Sequence, residues 1–176
     1  FHRALLFLAV PAFFLFGAFI SGFFVAVKRS QNQKPAYYKV MYLLSFIYFG
    51  IALSGHYSFF GSFGEPFQNF RDFVLLACLS FNCGAQNALF THYSHSIVRT
   101  THLTGLTTDL GIGLAKALFL GETSESRSNI LRIELISSFL AGSVFSAFLF
   151  SHFEFNGFYF PALLSAMIAY RLSARD

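Results

Sequence analysis

Residues 4–27 read ALLFLAVPAFFLFGAFISGFFVAV, 24 positions without a charge, and this run decides the fold class. A bilayer core about 30 Å thick is crossed by roughly 20 apolar residues at 1.5 Å rise each, so the run is long enough to span as a helix. A cleaved secretory signal fits less well. Its apolar core is typically about 7–15 residues, and no small-x-small cleavage site precedes Lys28.

The same ruler cuts the rest of the chain. Four further spans are expected at Val40 to Phe60, Phe73 to Ser94, Ile133 to Ser151 and Phe158 to Tyr170, the last being short and completed by Leu172 and its neighbours. A sixth segment, Leu103 to Gly121, carries Thr104, Thr107, Thr108, Asp109 and Lys116 among Leu, Ile and Gly, a composition that is marginal for insertion as an isolated helix. Aromatic residues support these cuts. Phe occurs 27 times and Trp never, so Tyr37, Tyr38, Tyr42, Tyr57, Tyr93, Tyr159 and Tyr170 supply the interfacial belt, and most fall near segment ends.

Composition agrees. The 176 residues are 55% hydrophobic and only 11% charged, with a mean hydropathy of +0.58, whereas soluble domains carry about 25% charged residues. This excludes a soluble domain, a disordered chain, a secreted disulfide scaffold and a nucleic-acid-binding module. The net charge is +4, and the Lys and Arg residues sit beside membrane segments, where they set orientation. Cys78 and Cys83 are five apart on different sides of one helix and have no CxxC or CxxH neighbour, so neither a disulfide nor a zinc site is indicated.

Topology follows from charge. The stretch KRSQNQKPAYYK, residues 28–39, holds four positive charges and no negative one, which places it in the cytoplasm and runs the first helix from outside to inside. If all six segments cross, the positive residues divide poorly between the two sides. If the Thr-rich segment enters and leaves by one side, ten positive residues lie inside and two, Arg3 and Arg71, outside. The expected fold is therefore an all-α membrane protein, a bundle of five to six transmembrane segments in a single domain over 1–176. Its Thr/Gly-rich segment is expected to be broken or re-entrant, which requires cover by protein or a water-filled cavity.

An internal echo suggests a repeat. Phe14 to Phe23 read FLFGAFISGF and Phe139 to Phe148 read FLAGSVFSAF, sharing Phe, Leu, Gly, Ser and Phe at the same spacing. With five spans the two copies run in opposite directions, as in the inverted repeats of transporters; with six they are parallel. Both copies present small residues four apart, Gly17 with Ser21, Ala18 with Gly22, and Ser138, Gly142 and Ser146, the pattern of close helix packing.

The polar residues that need explaining lie in residues 81–116, FNCGAQNALFTHYSHSIVRTTHLTGLTTDLGIGLAK. Asn82 and Gln86 share a helix face, with Asn87 adjacent; they either tie helices together by hydrogen bonds or line a polar cavity. Asp109 costs about 2.5 kcal/mol or more at bilayer depth unless paired, neutralised or hydrated. It is read as a proton or cation site, or as a structural pair with Arg99 or a cap at a broken-helix start. Lys116 lies two turns away, about 10 Å in rise, too far for a direct bridge on a continuous helix. Thr100, Thr101, Thr104, Thr107 and Thr108 surround Gly105 and Gly111, the composition of a bend whose backbone is re-satisfied by side chains. His92, His95 and His102 cluster without an accompanying Glu or Cys at ligand spacing, so no metal is expected, while His56 and His152 read as interface residues. No GxSxG, HExxH, P-loop or GxGxxG fingerprint is present, and no cofactor is expected.

In this stretch GAQNALF, residues 84–90, and RTTHLTGLTTDLG, residues 99–111, resemble the second conserved block of the YoaK-like family, small bacterial integral membrane proteins classed as a domain of unknown function. The resemblance extends over the chain from the first helix onward. Family members also carry an earlier block with an Asp-bearing helix and a Thr-Gly-Asn turn, which this chain lacks; with Phe1 in place of Met, this suggests an internal start and a site only partly contained in these residues. The resemblance implies a multi-pass protein of the bacterial inner membrane and brings no substrate or catalytic residue.

Function then rests on the residues themselves. Asn82, Gln86, Asn87, Thr101, Thr104, Thr108 and Asp109 are expected to line a small polar midplane site of a transporter or permease for a small solute. The alternative is a membrane interaction or assembly protein whose polar helices bind a partner. Enzymatic activity is not expected, since no base, nucleophile and metal constellation assembles. The expected partners are the lipid bilayer and an unidentified small solute; homo-oligomers are compatible with this reading, and nucleic acid is not expected.

Overall fold

A computed structural model describes residues 8–30, 35–66, 69–94, 103–121 and 126–174. The described residues are all-helical: α1 (Ala9–Ser30), α2 (Tyr37–His56), α3 (Phe70–Tyr93), α4 (Leu103–Phe119), α5 (Ser126–Phe153), a 3₁₀ turn (Glu154–Phe158) and α6 (Tyr159–Ser173). Each expected segment falls on a helix over its described residues, α5 beginning seven residues before the expected span. Tyr37–His56, Phe70–Tyr93 and the helical stretch Ser126–Ser173 are long and apolar enough to cross a membrane, and Ala9–Val25 forms a shorter apolar helix. Pro11 and Pro161 fall in the first turns of α1 and α6, where a missing N–H costs no helical hydrogen bond. At the start of α3, the Asn69 N–H donates to the Asp72 carboxylate at 2.8 Å.

The large apolar side chains point outward as well as inward. Leu15 is 71% exposed, Phe46 75% and Phe119 85%, a surface that water does not tolerate over such an extent and lipid does. Several hydroxyls inside the helices are satisfied locally. Ser80 donates to the Leu76 carbonyl at 2.7 Å and Thr91 to the Asn87 carbonyl at 2.8 Å, the back-bonding that lets Ser and Thr sit in apolar helices.

The chain divides into two compact units, one of residues 1–99 with 152–176, the other of residues 100–151. In the first unit, α1 and α3 run parallel. Val10 and Phe13 lie beside Phe70, Phe73 and Val74, and Phe16 packs on Phe81 with ring centroids 5.7 Å apart. Their backbones nearly touch. A Cβ on Gly17 would collide with the Phe81 carbonyl and one on Gly84 with the Phe14 carbonyl, so the small residues read from the sequence are here the crossing point of two helices.

Helix α6 runs antiparallel to α2. The Ser45 hydroxyl donates to the Ala162 carbonyl at 2.7 Å, Tyr48 stacks on Phe158, and Ala169 joins Val40, Met41, Leu44, Ala85 and Leu89 in the buried core. At the far end of α2, Gly55 admits Phe155 so closely that any Cβ would strike that ring. The end of α3 meets the start of α2 through Tyr93 and Tyr37, rings 5.5 Å apart. The chain therefore leaves this unit at the Tyr37 end and re-enters at the His56 end, about 30 Å away along a 20-residue helix.

The second unit holds α4 and most of α5. Gly113 of α4 is buried, and a Cβ there would collide with the Asn129 side chain and lie 2.7 Å from Arg132 Nη1; Arg132 donates to Asn129 Oδ1 at 2.8 Å. The bend expected at Gly105 and Gly111 is corrected here: residues 103–119 form one unbroken helix. The reason is local, because Thr107 and Thr108 hydroxyls bond back to the carbonyls of Leu103 and Thr104, which serves the hydroxyls without opening the helix. The two copies of the sequence echo are both helical, yet they differ in packing. Gly17 is in backbone contact, whereas a Cβ on Gly142 would meet nothing within 4 Å.

Candidate polar sites within the helical core

Asn82 is the residue the fold isolates most completely. It lies on α3 and is 0% exposed, and neither its Oδ1 nor its Nδ2 has a hydrogen-bond partner. The Tyr48 hydroxyl of α2 approaches the Asn82 amide as a hydrogen-bonding neighbour without reaching the geometry of a formed bond, and Cys83 lies nearby. Ser21 of α1 is likewise 0% exposed, with an unpartnered hydroxyl. A buried amide without a formed hydrogen bond costs about 1–3 kcal/mol, so the first unit carries in its core a polar group that its own side chains leave incompletely satisfied.

The other residues expected in the site are placed differently. Gln86 and Asn87 follow Asn82 on α3 and are half-buried. Thr104, Thr108 and Asp109 lie on α4, in the second compact unit, and are exposed in it. Thr101 lies outside the described residues, as do Arg99, the pairing partner considered for Asp109, and Thr100, His95 and His102. His92 is exposed at the end of α3. Among the described residues no group of three or more His, Cys, Asp and Glu is placed to hold a metal ion.

The structure also forms a site that sequence reading missed. Where α2 ends and the 3₁₀ turn begins, His56, Ser58, Ser62, Phe63, Glu154 and Asn156 surround a cavity of about 480 Å³. His56 Nδ1 lies 3.3 Å from Asn156 Oδ1. Ser58 and Glu154 are held at φ of 56° and 49°, a region L-residues occupy at a cost and which concentrates at functional positions. The signal available in the sequence was thin: Glu154 is a lone carboxylate between two apolar runs, and His56 is 98 positions away from it.

These features define the class: an all-helical membrane protein with an unsatisfied polar core. The family model described as "Protein of unknown function (DUF1275)" matches residues 1–171, and the chain belongs to that family, in agreement with the YoaK-like resemblance of its Gln86-Asn87 and Thr108-Asp109 blocks. Comparison with curated proteins and with solved structures found no match.

Proposed function

We propose that this protein is a multi-pass transporter or permease of the bacterial inner membrane, and that it takes a small polar solute at a site centred on Asn82. The observation that carries the reading is the fully buried Asn82 amide, which makes no formed hydrogen bond and has only the Tyr48 hydroxyl given as a hydrogen-bonding neighbour. An apolar residue of similar size at that position avoids the desolvation penalty, so retention of the amide suits a group that is satisfied only when solute is present. We assign no catalytic step to this site.

The chain leaves the first unit at the Tyr37 end and returns at the His56 end, so α4 and α5 together make an odd number of crossings. The 28 residues of α5 reach about 42 Å, long enough to supply one such crossing.

The test is a thermal-shift screen of small metabolites and ions against the purified chain, repeated on Asn82→Leu and Asp109→Asn. The expected result is a solute that stabilises the unaltered chain and has no effect on Asn82→Leu. A screen without any hit, or a hit that Asn82→Leu retains in full, sinks the Asn82 site. A second reading, a membrane assembly protein, draws on the open Gly142 face of α5; loss of a co-purifying partner in Gly142→Ile, with solute response intact, would favour it.

A further inference from the structure

The cavity at the His56 end of the first unit carries a chemistry distinct from that of Asn82. Its lining holds one carboxylate, Glu154, and the acceptor oxygens of Asn156, Ser58 and Ser62, with no Lys or Arg among the lining residues. A second carboxylate borders it, since Glu65 Oε2 lies 3.5 Å from the position a Cβ would take on Gly61, itself part of the wall. Arg71, in the first turn of α3, is engaged elsewhere: its guanidinium sits over the Phe59 ring, 5.0 Å from the centroid, and donates to the Phe59 carbonyl at 3.4 Å. In a chain of net charge +4, this is a local reversal of sign.

The remaining wall is aromatic. Phe63 meets Phe155 edge to face with centroids 5.1 Å apart, and Phe155 is wedged against Gly55 and Phe60. Aromatic faces next to a carboxylate attract organic ammonium ions, which gain from the ring quadrupole as well as from the charge. A bare metal ion is a poorer fit. It needs several close anionic ligands, whereas Glu154 alone lines this space and Glu65 only borders it, and the volume lies in the range of small-molecule sites of about 300–1,000 Å³.

We propose that this cavity binds a small organic ammonium ion, with Glu154 as its counter-charge, Phe63 and Phe155 as its aromatic wall, and Asn156, Ser58 and Ser62 as its polar lining. The site stands whether or not Asn82 binds a solute. It lies at the end of α2 opposite Lys39, which the positive-inside rule places in the cytoplasm, so the ligand approaches from the outer face.

The experiment is a melting-temperature titration of the full chain in uncharged detergent with tetramethylammonium chloride, against sodium chloride and calcium chloride at matched ionic strength. The expected outcome is a saturable rise with tetramethylammonium alone, and an apparent Kd weakened at least tenfold in Glu154→Gln and in Phe63→Leu. Phe63 is a partly exposed turn residue, so Phe63→Leu keeps the apolar volume while removing the ring, and it serves as the second probe should Glu154→Gln not fold. An effect of sodium equal to that of tetramethylammonium, a calcium response abolished by Glu154→Gln, or tetramethylammonium binding that survives both variants would each overturn the proposal.

Discussion

Single residues show where this protein departs from what stability alone would select. Asn82 is buried without a formed hydrogen bond, so Asn82→Leu is expected to raise the stability of the solute-free protein by about 1–3 kcal/mol, read as a higher melting temperature in detergent. A drop of similar size would show that the amide is satisfied after all. Ser58 and Glu154 hold left-handed backbone conformations, which cost L-residues roughly 1–2 kcal/mol, a cost that glycine avoids while losing about 0.5–1 kcal/mol to chain entropy. Ser58→Gly should therefore be neutral or stabilising by up to about 1 kcal/mol; a melt lowered by more than that amount contradicts the strain. Asn82 was legible as an amide in an apolar helix. Its complete isolation was not, because that depends on which faces of α1 and α2 it meets.

At the scale of elements, the helices were readable and their partnerships were not. The 24 uncharged residues at 4–27 and the later apolar runs fix helix positions, since length and polarity are properties of a segment by itself. The near-identical small-residue patterns around Gly17 and Gly142 could not reveal that one is a backbone crossing and the other an open face. This difference predicts opposite mutational behaviour. Gly84→Ala, which drives a methyl into the Phe14 carbonyl, should destabilise by about 1–3 kcal/mol as the helices separate, while Gly142→Ala should stay within about 0.5 kcal/mol. Equal effects in thermal melts would refute the assignment. The bend expected from Thr100 to Gly111 failed over its described part for a related reason: a Thr hydroxyl that can restore a broken backbone can equally bond back within an intact helix.

Over the whole molecule, the direction of α6 is the decisive geometric fact, because it fixes how the chain returns to its first unit. The antiparallel pairing of α2 with α6 puts Ser62 and Asn156 at one end of that unit and Lys39 at the other. In a chain with Cys78 and Cys83 replaced by Ala, a membrane-impermeant maleimide should label Ser62→Cys and Asn156→Cys from the same side and Lys39→Cys only from the opposite side. Labelling of Ser62→Cys and Asn156→Cys from opposite sides would break the proposed five-span arrangement. The sequence alone determined that this is an all-helical membrane protein and where its helices lie, because apolar length is counted along the chain. Only the tertiary structure decided that Asn82 is sealed without a formed hydrogen bond, that Thr108 and Asp109 belong to a different compact unit from Asn82, and that His56 and Glu154 share a cavity. Those facts depend on the meeting of faces distant in sequence, and in a membrane, where lipid and protein are equally apolar, hydrophobic pattern does not distinguish a face that packs from one that greases the bilayer.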